Sequence, residues 1–160
     1  MRVIETANAS DKDEILQLYK AQLGRDFCPW NEYYPSMDEI EYDLSRDALF
    51  VMREDGKIVA SISIDKDEQV DNLEYWTDEL QPGGELARLA VSPDCQSKGL
   101  AKEMIEHGLA ELKNRGYKSL HFLVNEHNVV ARKCYSAFSF NKVGECELFE
   151  QPMLCYEMEL

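Results

Sequence analysis

The stretch Glu85 to Ala101 constrains the fold of this chain more than any other. Leu86 to Val91 is a strand-like run that stops at Pro93. A short polar loop follows, and a long amphipathic helix begins near Gly99. That helix places Ala101, Met104, Ile105, Gly108, Leu109 and Leu112 on one face, and Gly116 ends it. A strand that feeds a loop into a helix N-terminus builds an anion site. Several backbone N–H groups there lack intrahelical partners, and the helix dipole favours negative charge. Gly99 lets an anion approach the backbone, because no Cβ stands in the way. Lys98 and Lys102 add positive charge. The segment implies a phosphorylated ligand.

Elements before and after this segment alternate in type. Arg2–Ala7 reads as a strand, and Ser10-Asp-Lys-Asp13 as a capping-box-like helix start. Ile15, Leu16, Leu18, Tyr19 and Leu23 mark the helix that follows, with Gly24 as its stop. Residues 25–35 are aromatic and turn-rich, with Phe27, Trp30, Tyr33 and Tyr34. Ser36 opens a second helix that runs to about Arg46. Ala48–Arg53 and Ile58–Ile64 are strands joined at Asp55-Gly56, a strong hairpin signal. Asp65 to Gly84 is a long acidic connection of low regularity, of the kind that is often functional. Ser119–Val124 is a strand with little polarity, as in the middle of a sheet. A helix is expected from about Val129 to Phe138, then strands at Phe140–Leu148 and Met153–Glu159. The order β-α-α-β-β-β-α-β-α-β-β describes a mixed-sheet α/β domain. With 160 residues and no linker or repeat, one domain is expected.

Charge and cysteine content exclude several classes of function. Residues 1–80 hold 8 Lys/Arg against 20 Asp/Glu, a net of −12. Residues 81–142 hold 9 against 6, a net of +3, and residues 143–160 hold 5 acids and no base. A total of −14 argues against general nucleic-acid binding. The one net-positive stretch carries the anion loop, so attraction for a polyanion is local. No apolar run approaches the roughly 20 residues that span a bilayer. The N-terminus lacks a signal-peptide core, so the cytoplasm is expected and no membrane partner. Cys28, Cys95, Cys134, Cys146 and Cys155 are scattered, odd in number and without Cys-x-x-Cys, which suits reduced thiols. His107, His121 and His127 do not stand at a spacing that recruits cysteines, so no metal is expected.

Gln96-Ser-Lys-Gly99-Leu-Ala101 fits the pattern Gln/Arg-x-x-Gly-x-Gly/Ala, with Val-x-Pro just before it. A second motif, Asn128-x-x-Ala131-x-x-x-Tyr135 followed by Phe140, stands after the apolar strand. Together these resemble the GNAT superfamily of acyl-CoA-dependent N-acyltransferases. The resemblance covers most of the chain in element order and Glu85 to Phe140 in motifs. It implies a GNAT-like α/β fold with a mixed, mostly antiparallel central sheet flanked by helices. It also implies acetyl-CoA as cosubstrate and transfer of its acetyl group to a primary amine by direct attack in a ternary complex. One departure is Ser139-Phe140, where family members usually have Gly-Phe, so the turn there is expected to differ.

Acetyl transfer to an amine has three needs: an acceptor for the amine's proton, a donor to the carbonyl oxygen as it gains charge, and a proton or hydrogen bond for the departing thiolate. The resemblance implies Tyr135 for the third and a backbone N–H of Leu89, Ala90 or Val91 for the second. Glu85, acting through water, is the candidate for the first, which requires a raised pKa and hence partial burial. By the same resemblance Gln96, Ser97, Lys98, Gly99, Leu100 and Ala101 hold the pyrophosphate, chiefly through backbone N–H groups, and Asn128 and Ala131 help hold the coenzyme. Lys102, Arg132 and Lys133 either meet outer phosphates or are solvated helix charges. From spacing alone, Tyr135 reads as an aromatic packed beside Ala131 and Phe138. Trp30, Tyr33, Tyr34, Tyr75 and Trp76 stand among Glu32, Asp71, Glu74, Asp78 and Glu79. Aromatic faces with carboxylates suit a small cationic amine or a peptide terminus; a charged surface over core aromatics is the plainer reading. A catalytically idle acyl-CoA sensor would keep the loop without a productive amine site. A nucleotide-binding protein is disfavoured, because no Gly-x-x-x-x-Gly-Lys-Ser/Thr is present. Homodimers are common in the family, and a homodimer is possible here by that analogy alone.

Overall fold

A computed structural model of the chain describes residues 1–160 except 26, 27, 29, 97, 129–131 and 134. Phe27, Ser97, Val129, Ala131 and Cys134 therefore lie outside the described residues. The chain divides into two compact units, Met1–Asp65 with Ala87–Gly108, and Lys66–Leu86 with Leu109–Leu160.

The first unit opens with β1 (Arg2–Thr6), paired antiparallel to β2 (Leu49–Glu54), which in turn pairs antiparallel to β3 (Lys57–Asp65). Asp55 and Gly56 turn this hairpin with φ of 52° and 83°, the left-handed pair that a two-residue turn requires. Helices α1 (Lys12–Lys20) and α2 (Met37–Ser45) supply the apolar layer. Ile15, Leu18, Tyr19 and Ile40 pack with Leu49, Val51, Ile58 and Ala90 in one cluster. A 3-10 turn precedes the first helix, and its cap is Asn8, not Ser10. Asn8 caps a 3-10 turn at Ala9–Asp11, accepting from the Ser10 N–H while Asp11 accepts from the Asn8 N–H. Asn is as good a cap as Ser, and Asp11 is further held by Arg53 Nη2 at 2.8 Å. Ser36 does cap α2, accepting from the Asp38 N–H.

The second unit holds the short helix α3 (Glu68–Asp71), a 3-10 turn at Asp78–Leu80, and strands β5 (Ser119–Asn125), β6 (Asn141–Leu148) and β7 (Gln151–Glu159). The acidic connection is thus partly regular. β7 pairs antiparallel with both β5 and β6. Phe149 and Glu150 turn the last hairpin with φ of 55° and 60°. Neither residue type signals such a turn, so only its flanking strands were legible.

Strand β4 (Gly83–Val91) and helix α4 (Leu100–Asn114) contribute to both units. Strands follow the hydrogen-bonded order β1-β2-β3-β4-β5-β7-β6 in one seven-stranded sheet, antiparallel at β1–β2, β2–β3, β5–β7 and β7–β6 and parallel at β4–β5. That parallel pair is what α4 connects, since parallel neighbours need a crossover. The expected mixed, mostly antiparallel α/β architecture is the one observed. Among the described residues between β5 and β6, Arg132, Lys133 and Tyr135 are helical. No helix among the described residues is long and apolar enough to cross a membrane.

Candidate active site

The anion loop grows out of the end of β4. The Ser92 N–H is tied to the Val59 carbonyl at 2.8 Å, and Pro93–Cys95 makes one 3-10 turn. Three side chains then converge on the Val91 carbonyl: Gln22 Nε2 at 2.9 Å, Gln96 Nε2 at 3.1 Å and Arg25 Nη1 at 3.4 Å. Gln96 therefore uses its amide to fasten the loop to the strand. Lys98 and Gly99 are exposed, and Gly99 has φ of 79°, a conformation costly for any residue with a Cβ. A Cβ built there would meet nothing within 4 Å. Leu100 is buried and starts α4, whose first intrahelical bond runs from the Glu103 N–H to the Gly99 carbonyl. Amide groups before Glu103 are the ones a helix start leaves for a ligand. Lys102 is exposed, with Glu106 at 4.0 Å. Leu89 is half-buried, and Ala90 and Val91 are buried.

The same strand carries a network centred on Arg88. Arg88 has φ of 51° in the middle of β4 and is 8% exposed. Its guanidinium donates to both carboxylate oxygens of Asp43 at 3.0 and 2.8 Å and to both of Asp65 at 3.3 and 3.1 Å. It also donates to the Tyr34 hydroxyl at 3.2 Å. Asp43 is fully buried and accepts further from Ser63 Oγ and from Arg46. Burial works against the Arg88 charge, yet Asp43 and Asp65 outweigh it and hold the guanidinium pKa above its ordinary value. The network anchors Tyr34, whose ring stays 42% exposed beside the 78% exposed Tyr33. Trp30 is half-buried and meets the edge of Tyr19 at 5.4 Å. An arginine centred in an apolar strand, with an aspartate inside an amphipathic helix, was the available sign.

Glu85, Asn128, Tyr135, Tyr75 and Trp76 belong to the second unit. Glu85 is 9% exposed on β4, which meets the burial that a carboxylate base needs. Carboxylate and imidazole atoms of Asp71, Glu85 and His121 lie within 4.8 Å of one another. Asn128 sits just past β5, its N–H on the Asn125 carbonyl and its own carbonyl accepting from the Arg132 N–H. Tyr135 packs against Phe122 at 4.5 Å and edge-on to Phe140 at 5.8 Å. Arg132 and Lys133 are exposed. Trp76 is 7% exposed, donates Nε1–H to the Val70 carbonyl at 2.8 Å and stacks on His121. Tyr75 packs on the backbone of Gly144, where a Cβ would strike its ring. Of the five aromatics named from sequence, Tyr33 and Tyr34 carry exposed rings, and Trp76 is core.

Known proteins resemble this chain in both sequence and fold. The profile of the acetyltransferase (GNAT) family matches residues 13–140. The [ribosomal protein bS18]-alanine N-acetyltransferase of Escherichia coli is 37% identical over 57 residues, which span 36% of this chain and 38% of that enzyme. The match thus spans well under half the length of this curated relative. In structure, the ribosomal-protein-S18-alanine N-acetyltransferase from Escherichia coli superposes with a TM-score of 0.74 at 19% identity, covering 99% of this chain and 94% of the other. A structure of yncA from Salmonella typhimurium, with its cofactor acetyl-CoA, gives 0.76 at 16% identity over 100% of this chain and 94% of the other.

Proposed function

We propose a function from one premise: this chain belongs to the acetyltransferase (GNAT) family. It moves an acetyl group from acetyl-CoA to a primary amine, and the acceptor is a small cationic amine or a peptide terminus. The loop at Gly99 carries this reading. Its left-handed backbone, the open space above it and the start of a 15-residue helix fit a pyrophosphate. N–H groups of Gly99, Leu100, Ala101 and Lys102 would hold that pyrophosphate, with Lys98 adding charge. Asn128 would also hold the coenzyme. Acetyl-CoA supplies a thioester carbonyl open to attack. Glu85 takes the amine's proton through water, a backbone N–H among Leu89–Val91 donates to the carbonyl oxygen, and the Tyr135 hydroxyl supplies the leaving sulfur with a proton.

A peptide terminus is the favoured acceptor, supported by the name of the curated relative and by the exposed Tyr33 and Tyr34 beside Glu32. Calorimetry of CoA binding tests the loop directly. Wild type binds CoA, and Gly99→Val weakens binding at least about tenfold, because a β-branched residue resists that φ and its Cβ enters the anion's space. An unchanged affinity in Gly99→Val would place the coenzyme elsewhere.

A further inference from the structure

His121 is 1% exposed, set among the apolar Leu120, Phe122, Leu123 and Val124 of β5. Its Nε2 lies 2.9 Å from Asp71 Oδ1. A carboxylate only accepts, so Nε2 carries the hydrogen and, in a neutral ring, Nδ1 carries the lone pair. Nδ1 is buried and has no hydrogen-bond partner among the described residues. It faces β4, since a Cβ on Gly83 would lie 2.6 Å from it. Glu85 stands two residues further along β4, on the same face as Gly83. One nitrogen of the imidazole lies within 4.8 Å of a Glu85 carboxylate oxygen, a gap that one bridging water spans.

Neighbouring groups fix the ring and set its charge. Trp76 stacks on it at 4.5 Å with planes 13° apart. Glu157 stands opposite it in the β5–β7 register, with its carboxylate engaged by the Thr77 N–H and Oγ1. The charged groups facing His121 are thus Asp71 from α3, Glu85 from β4 and Glu157 from β7. Burial lowers the imidazole pKa below its ordinary value against the pull of Asp71 and Glu157, so the ring is neutral at neutral pH.

We infer that Asp71 and His121 are positioning residues for Glu85: they hold a basic imidazole nitrogen within reach of its carboxylate and so restore it as a base in each turnover. The inference rests on Glu85 being the proton acceptor proposed above. When the amine attacks, its N–H bond breaks and an O–H bond forms on Glu85. That O–H bond then breaks as an Nδ1–H bond forms. The resulting imidazolium is balanced by Asp71 and Glu157. After the amide leaves, the proton returns along the same line to water.

The test compares pH profiles of kcat/KM for wild type, Glu85→Gln, Asp71→Asn and His121→Gln, using acetyl-CoA and whichever amine is turned over. Asp71→Asn keeps the shape but can donate to Nε2, which moves the ring hydrogen to Nδ1 and removes the lone pair. We expect Glu85→Gln to lose about 10²-fold or more. Asp71→Asn should lose about tenfold or more at pH 7, with its acid limb displaced by a unit or more and the KM for acetyl-CoA unchanged. If His121→Gln fails to fold, Asp71→Asn decides alone. Full activity in Glu85→Gln would sink the base assignment and this inference together. An inactive Glu85→Gln beside an Asp71→Asn with wild-type rate and pH limb would sink this inference only. Activity lost to EDTA and restored by a divalent cation would make the cluster a metal site instead.

Discussion

Arg88→Ala lowers the thermal midpoint by about 6–20 °C, the largest stability effect expected for a single substitution in the first unit. The reason is the charge left behind. Asp43 is fully buried and Asp65 is 15% exposed in its side chain, and both oxygens of each accept from this one guanidinium. Removing one partner of a buried ion pair costs about 3–5 kcal/mol, because the other stays buried and uncompensated. Arg46 still reaches Asp43, so that carboxylate keeps one cationic partner. Arg88→Lys recovers only part of the loss, since an ammonium cannot reproduce a planar fork with five donors. Arg88→Gly is the informative comparison. It removes the same guanidinium but relieves a φ of 51°, and so is less damaging than alanine by about 1 kcal/mol. A midpoint within 2 °C of wild type in Arg88→Ala would contradict the account of this network.

Tyr135→Phe lowers kcat about 10²-fold with little change in the KM for acetyl-CoA or in the thermal midpoint. Ring and hydroxyl are separable here. The ring packs on Phe122 and Phe140, and phenylalanine preserves both contacts. Only the hydroxyl is lost, and with it the proton donor proposed for the leaving sulfur. Tyr135→Ala would confound the two, because it also opens a cavity beside Phe122. Steady-state kinetics on the folded Phe variant checks the point. An unchanged kcat would reduce Tyr135 to a packing residue, the alternative its helical spacing allows.

Backbone punctuation was the most legible part of the sequence. Gly99, Gly56 and Gly116 all take left-handed φ where a loop, a hairpin and a helix end require it. Residue types that can only do one thing well are read reliably. Asn8 was missed as a cap because Ser10 and Asp13 offered an equally good signal three residues apart. Phe149 and Glu150 adopt the same backbone as Asp55 and Gly56 without the residues that favour it, so tertiary pairing of β6 and β7 decides that turn. Site residues followed the same divide. Gln96 stood out by motif, but the fold turns its amide back onto Val91. Trp76 suggested a cation-binding face by composition, and the fold spends that face on His121. Arg88 stood out only as a charge in an apolar strand, and Asp71 and His121 carry no local pattern. Their meaning lies in partners 45 residues apart for Arg88 and Asp43 and 50 apart for His121 and Asp71, a separation no window of sequence spans.

Release of free coenzyme from acetyl-CoA across a panel of amines tests the central claim most directly. The panel holds peptides with free N-termini, polyamines, aminoglycosides and amino acids. An enzyme-only control is needed, since Cys28, Cys95, Cys146 and Cys155 are free thiols. The account predicts acceptor-dependent release, strongest with peptide termini or small cationic amines, and mass spectrometry showing the acetyl group on the amine nitrogen. Coenzyme binding without acceptor-dependent release on any amine, or release with only neutral or acidic amines, would contradict it.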